Sequence, residues 1–131
     1  MATEKKGIDE FKDSPTVFVD FTRGTTLPFA FRFLESVDPD VPIDVTDWQV
    51  WISISYEMNS DVPDVEVRIP IFNAAEGAFA GEISDDITYS LSESSIVYMS
   101  ARYIRPDGAT FVFDKAKVRV YDAVTSRREL G

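Results

Sequence analysis

The sequence predicts an all-β fold, a single antiparallel sandwich of about seven strands, on three observations. Apolar residues recur with a period of two in segment after segment, the spacing that places them on one face of a pleated strand. Turn-forming residues break these segments at intervals of roughly 8–12 residues, as they do in sandwiches and barrels. No amphipathic helix of useful length is visible, so the crossover helices that a parallel sheet requires are missing. The 131 residues suit one domain. A chain of this size removes roughly two-thirds of its unfolded surface from water on folding, so it needs neither a metal nor a disulfide for stability.

From Met1 to Ser14 the large apolar residues are Ile8 and Phe11 alone. That is too little burial to offset the cost of ordering the chain, so residues 1–15 are expected to be a flexible arm ending at Pro15. The sandwich is expected over 16–122, followed by a short polar tail, 123–131. Its first strand starts at Thr16, with Val17, Val19 and Phe21 on one face. After Arg23-Gly24, Leu27, Phe29, Phe31 and Phe33 alternate with Pro28, Ala30 and Arg32 in a second strand. Ser36 to Asp47 is rich in Asp and Pro and reads as a connection, with one short extended piece at Val41 to Val45.

Trp48 to Glu57 is the clearest strand: Trp48, Val50, Ile52, Ile54 and Tyr56 share one face, and Trp51 interrupts the polar one. Val65, Val67, Ile69 and Ile71 form the next, where Pro70 cannot donate to a ladder and so marks an edge or an end. Ala78 to Ile83 is a short strand, and Asp85 to Leu91 a helical turn or crossing loop. Ile96 to Ile104 and Thr110 to Tyr121 are joined by Arg105-Pro106-Asp107-Gly108, in which proline presets φ and glycine supplies the left-handed conformation of a tight turn. This number and spacing of strands is that of an immunoglobulin-like β-sandwich.

The chain contains no cysteine and no histidine. Thiol chemistry, Ser/His/Asp and Cys/His nucleophile systems and ordinary zinc sites are therefore excluded by inventory. A formal net charge of -10 opposes direct binding of nucleic acid. No segment has the ~18 apolar residues needed to span a bilayer. Asp38, Asp40, Asp44 and Asp47 offer oxygen ligands, but without EF-hand spacing they read as solvated turn residues. Adjacent Asp85 and Asp86 suit a helix start better than paired acid and base work. Gly24, Gly77, Gly81 and Gly108 are scattered near turns or strand ends and form no phosphate-binding loop. Lys115 and Lys117 share a wet strand face.

Ten Phe, five Tyr and two Trp exceed what the core of so small a domain needs. Trp51 and Tyr121 are expected at the surface, and with Ile8 and Phe11 of the arm they are the interface candidates. No catalytic, cofactor or metal residue is assigned.

The run Phe18-Val19-Asp20-Phe21-Thr22-Arg23-Gly24-Thr25-Thr26-Leu27-Pro28-Phe29 resembles the opening of small tailed-bacteriophage proteins of the baseplate upper protein and tail-associated immunoglobulin-like type. Asp44-Val45-Thr46-Asp47-Trp48, Glu76-Gly77-Ala78-Phe79, and the closing Tyr98 to Val120 region with Arg102 and Asp107-Gly108 extend the likeness from Val17 to about Tyr121. Thr25 stands where that group usually has Asp, and no fibre-forming segment follows. The resemblance implies a non-enzymatic structural protein of the virion, in a tail, baseplate or neck, made in the host cytoplasm. It would dock on other virion proteins in repeated copies, with no cofactor, nucleic acid or membrane. The alternatives are a capsid decoration protein and a carbohydrate-binding module in which Trp48, Trp51 and Tyr56 would stack on sugar rings.

Overall fold

The computed structural model describes residues 7–9 as backbone and residues 18–36, 38–58, 61–91 and 96–122 in full. The strands are β1 (Gly7–Asp9), β2 (Phe21–Thr22), β3 (Leu27–Ser36), β4 (Val41–Pro42), β5 (Gln49–Ser55), β6 (Val65–Ile69), β7 (Ile71–Asn73), β8 (Ala78–Ile83), β9 (Ile96–Ile104) and β10 (Thr110–Tyr121). A 3₁₀ turn, Ala74–Glu76, precedes β8, and one short helix, α1 (Asp85–Ser90), follows it. The order β1-β3-β8-β7, with β4 also on β3, makes one five-stranded sheet, and β2-β10-β9-β5-β6 makes the other. Every pairing is antiparallel except β2 with β10. The all-β class is as the periodicity requires, but two five-stranded sheets replace the expected total of about seven strands.

Alternation supplies the inner faces. Phe29, Phe31 and Phe33 of β3 and Phe79 and Ile83 of β8 join Val50, Ile52 and Ile54 of β5, Val97, Met99 and Ala101 of β9, and Val118 and Val120 of β10 in one buried cluster. Each large member removed from water stabilises the fold by roughly 1.5–3 kcal/mol. Ile71 and Tyr56 pack on its rim.

Several local expectations change. Gly7–Asp9, inside the expected arm, is a strand antiparallel to β3, with Gly7 opposite Leu34. Backbone pairing holds it there, a contribution that a count of apolar side chains omits. The tail 123–131 and Phe11 lie outside the described residues. Of the first expected strand, Thr16 and Val17 lie outside the described residues, and among residues 18–22 only Phe21 and Thr22 pair with β10. Just before them the Asp20 carboxylate accepts the Arg119 N–H at 2.9 Å, where a backbone carbonyl would otherwise continue the ladder. Alternation fails accordingly: Phe18 and Phe21 are buried and Val19 is 60% exposed.

Pro70 separates β6, on the edge of one sheet, from β7, on the edge of the other, so the chain changes sheets there. Gly81, which was expected near a strand end, lies inside β8 because the switch brings Pro70 onto it. A Cβ at Gly81 would come within 2.7 Å of the Pro70 Cδ. Ser84 caps α1, its Oγ accepting the Ile87 N–H, and Asp85 and Asp86 occupy the first turn.

α1 is tied across the molecule. Thr88 is fully buried; its hydroxyl donates to the Thr25 carbonyl at 2.6 Å and accepts the Gly24 N–H at 3.0 Å. The Arg23 guanidinium donates to the Leu91 carbonyl at 3.1 Å. Thr88→Val keeps the shape but leaves a part-buried carbonyl and N–H without their side-chain partner, a cost of about 1 kcal/mol. Urea unfolding is expected to read that loss, whereas Ser90→Ala, which removes an exposed bond to the Ile87 carbonyl, should change the midpoint little.

Candidate interaction surface

The sheet β2-β10-β9-β5-β6 buries one face against the core, so its other face projects the alternate residues outward. Register places them in rows. Arg68, Trp51, Arg102 and Val112 lie side by side across β6, β5, β9 and β10. The next row is Glu66, Ser53, Ser100 and Lys115, and beyond it Ser55, Tyr98 and Lys117.

Trp51 is half-buried, and its indole N–H donates to the Gln49 Oε1 at 2.9 Å. Arg102 is held by Glu66 at 2.6 Å and donates to the Ser53 Oγ at 3.3 Å. Its bond to Gln49 and the anchored Arg102 beside it give the indole a defined place between two guanidinium-bearing strands. Lys115 and Lys117 are exposed on this same face. Beside them runs an open groove of about 560 Å³, lined by Tyr98, Ser100, Lys115, Lys117 and one carboxylate, Glu57, with Met58 and Val112 among its apolar members. A register shift between Val112 and Asp114 gives β10 an extra residue at this point, the signature of a bulge.

The other interface candidates are dispersed. Tyr121 is 50% exposed at the far end of β10, opposite Thr22, and does not join Trp51. Ile8 lies in β1 on the opposite sheet. The sequence reading missed Phe72, which is 71% exposed on β7, and the groove-lining pair Met58 and Val112. Val112 was legible as the outward residue between Phe111 and Phe113, but the groove depends on the shape of three strands together.

Trp48, Trp51 and Tyr56 form no common platform. Trp48 stacks on Tyr103 with centroids 5.1 Å apart and meets Phe33 at 5.6 Å, packed against the core, while Trp51 is on the outer face.

The acidic connection is occupied by its own hydrogen bonding. Asp40 receives the Arg32 guanidinium at 3.0 Å. Asp44 accepts from the Thr46 hydroxyl and N–H, which hold its carboxyl below the usual range. Asp38 and Asp47 adopt left-handed φ values of 61° and 66°. Among the described residues, no three acidic side chains gather as metal ligands.

Asp107 in the β9–β10 turn is also lowered, first by the Ala109 N–H and then by Arg105. A carboxyl whose folded value is depressed adds stability above its unfolded value and loses it as pH falls through the folded one. Asp107→Ala should therefore lose less stability than the parent chain between neutral pH and about pH 3, read from urea midpoints at each.

No family model matches the chain, and no curated protein matches it.

Proposed function

We propose that this chain is a non-enzymatic structural protein of a bacteriophage virion, in a tail, baseplate or neck, built on an immunoglobulin-like sandwich that docks on other virion proteins. The strand order supports the immunoglobulin-like part of this reading, while the docking role leans on the exposed large side chains. In immunoglobulin lettering β3, β8 and β7 correspond to B, E and D, and β10, β9, β5 and β6 to G, F, C and C′, with β1 and β2 as a first strand divided between both sheets. Strand count differs from the simple seven because that division, β4 and β6 add members.

Support comes also from the likeness of the Phe18 to Phe29 run to tail-associated proteins, and from the outward side chains of both sheets. Exposed Phe72 and Tyr121 are large groups of the kind that anchor interfaces. Repetition around a symmetric particle turns weak contacts of this kind into durable ones.

Mass spectrometry of particles purified from cells that produce the chain is expected to find it in constant ratio to other tail proteins. Its absence from washed particles would defeat the virion assignment. On the molecular side, Trp51→Ala should weaken association with the particle by more than ~1 kcal/mol. Its melting temperature should change little, since Trp51 stands outside the central cluster. A large fall in melting temperature with unchanged association would make Trp51 a stability residue instead.

A further inference from the structure

The positive charge of this acidic molecule is sorted. Among the described residues, Arg23 pairs with Asp122, Arg32 with Asp40 and Glu76, Arg102 with Glu66, and Arg105 with Asp107. Arg68, Lys115, Lys117 and Arg119 make no ion pair, and the register puts all four on the outer face of the β2-β10-β9-β5-β6 sheet. Within a chain of net charge -10, the described cations that lack an ion pair thus gather on one surface. That surface also holds Trp51 and the groove beside Tyr98.

We infer that this face binds an acidic, extended segment of another polypeptide, seated in the groove with its carboxylates against Lys115 and Lys117. The inference rests on the docking reading and specifies its face and the chemistry of the partner.

The groove combines what such a segment needs. Lys115 and Lys117 project from alternate positions of one strand, roughly 6–7 Å apart, the same repeat as alternate side chains of an extended partner. Ser100 and Tyr98, cross-strand from the two lysines, offer hydroxyls to backbone groups. Met58 and Val112, 65% and 59% exposed, give apolar area that a partner would remove from water.

Charge also chooses among occupants. Among the described residues β10 is paired on its outer edge only at Val120 and Tyr121, so a second β10 could in principle lie along it. Symmetric antiparallel pairing centred on Lys117 would set Lys117 against its copy and Lys115 against Arg119 of the other chain, while two bodies of net charge -10 repel. Those same lysines admit a carboxylate-bearing strand. Nucleic acid would meet the field of the whole acidic molecule, which a short peptide segment in contact feels far less at physiological salt.

The test uses the full ¹⁵N-labelled chain, titrated at physiological salt with a synthetic peptide of alternating Thr and Glu and, separately, one of alternating Thr and Lys. The acidic peptide is expected to shift the amides of Ser100, Lys115 and Lys117 and the Trp51 indole N–H, with affinity falling about tenfold on raising salt to several hundred millimolar. The basic peptide should shift none of them. K115E/K117E should abolish binding and K115Q/K117Q weaken it, both with the parent's dispersed spectrum. No shift with the acidic peptide, equal shifts with the basic one, or binding retained in K115E/K117E each overturns the inference. So does tighter binding of oligothymidylate at this face, or a concentration-dependent dimer in sedimentation that K115E/K117E dissociates. These outcomes do not depend on where the protein resides, so they are separable from the particle measurement that tests the virion reading.

Discussion

Phe33→Ala is expected to lower the unfolding free energy by about 3–5 kcal/mol, the range for an aromatic side chain deleted from a core. Phe33 is 3% exposed, and its ring meets those of Phe31, Trp48, Phe79, Tyr103 and Phe113 at centroid distances from 5.1 to 6.1 Å. These partners belong to both sheets and to the connection between them. Mostly edge-to-face geometry adds about 0.5–1.5 kcal/mol for a pair beyond the area buried. The cavity left by the ring cannot close by moving one neighbour, because each neighbour is held by its own strand. Urea unfolding should therefore show a much lower midpoint with an unchanged slope. Tyr121→Ala, which removes an exposed ring, should cost less than about 1 kcal/mol. A Phe33→Ala loss as small as that would mean that the sheets do not pack through this cluster.

Gly77→Ala should cost more than ~2 kcal/mol, although it adds one carbon atom. Gly77 sits at φ 71° at the end of the 3₁₀ turn, in the left-handed region that costs other residues about 1–2 kcal/mol. A Cβ there would also stand 2.5 Å from the Phe33 carbonyl oxygen and 2.7 Å from that of Ile43. Both oxygens belong to backbone, and neither can retreat freely: the Phe33 oxygen accepts the Ile43 N–H at 3.0 Å, and the Phe33 N–H donates to the Gly77 carbonyl at 2.9 Å. Relieving the contact means breaking the bonds that join β3 to the chain just after β4 and just before β8. Gly108 provides the comparison, since φ is 89° but a Cβ there meets nothing within 4 Å. Gly108→Ala should show the conformational cost alone, about 1–2 kcal/mol. Thermal or urea unfolding of the two variants separates strain from collision; equal losses would show that no collision occurs at Gly77.

The candidate surface was partly legible. Outward Lys115 and Lys117 follow from spacing within one strand, as does the displacement of Trp51 from the apolar face. Their assembly with Arg68, Tyr98 and Met58 does not, because it depends on the register of β5, β6, β9 and β10. Nothing in the sequence around Arg68 or Arg102 reveals which of them has an ion-pair partner; Glu66 becomes that partner of Arg102 only through the alignment of β6, β5 and β9. Thr88 went unnoticed for a similar reason, since its partners at Gly24 and Thr25 are more than sixty residues away.

By itself the sequence determined the segments of β3, β5, β8, β9 and β10 and, in β3 and β5, which face is apolar, since side-chain direction in an extended chain is a local consequence of the two-residue repeat. It also determined the β9–β10 turn, where Pro106, Asp107 and Gly108 act through their own backbone preferences. Only the tertiary structure decided that β1 joins the sheet, that Phe18 and not Val19 is buried, that the chain changes sheets at Pro70, and that the described cations without an ion pair gather on one surface. Each of those outcomes depends on pairing between distant segments, where hydrogen bonds and packing from both partners outweigh the preferences of either segment alone.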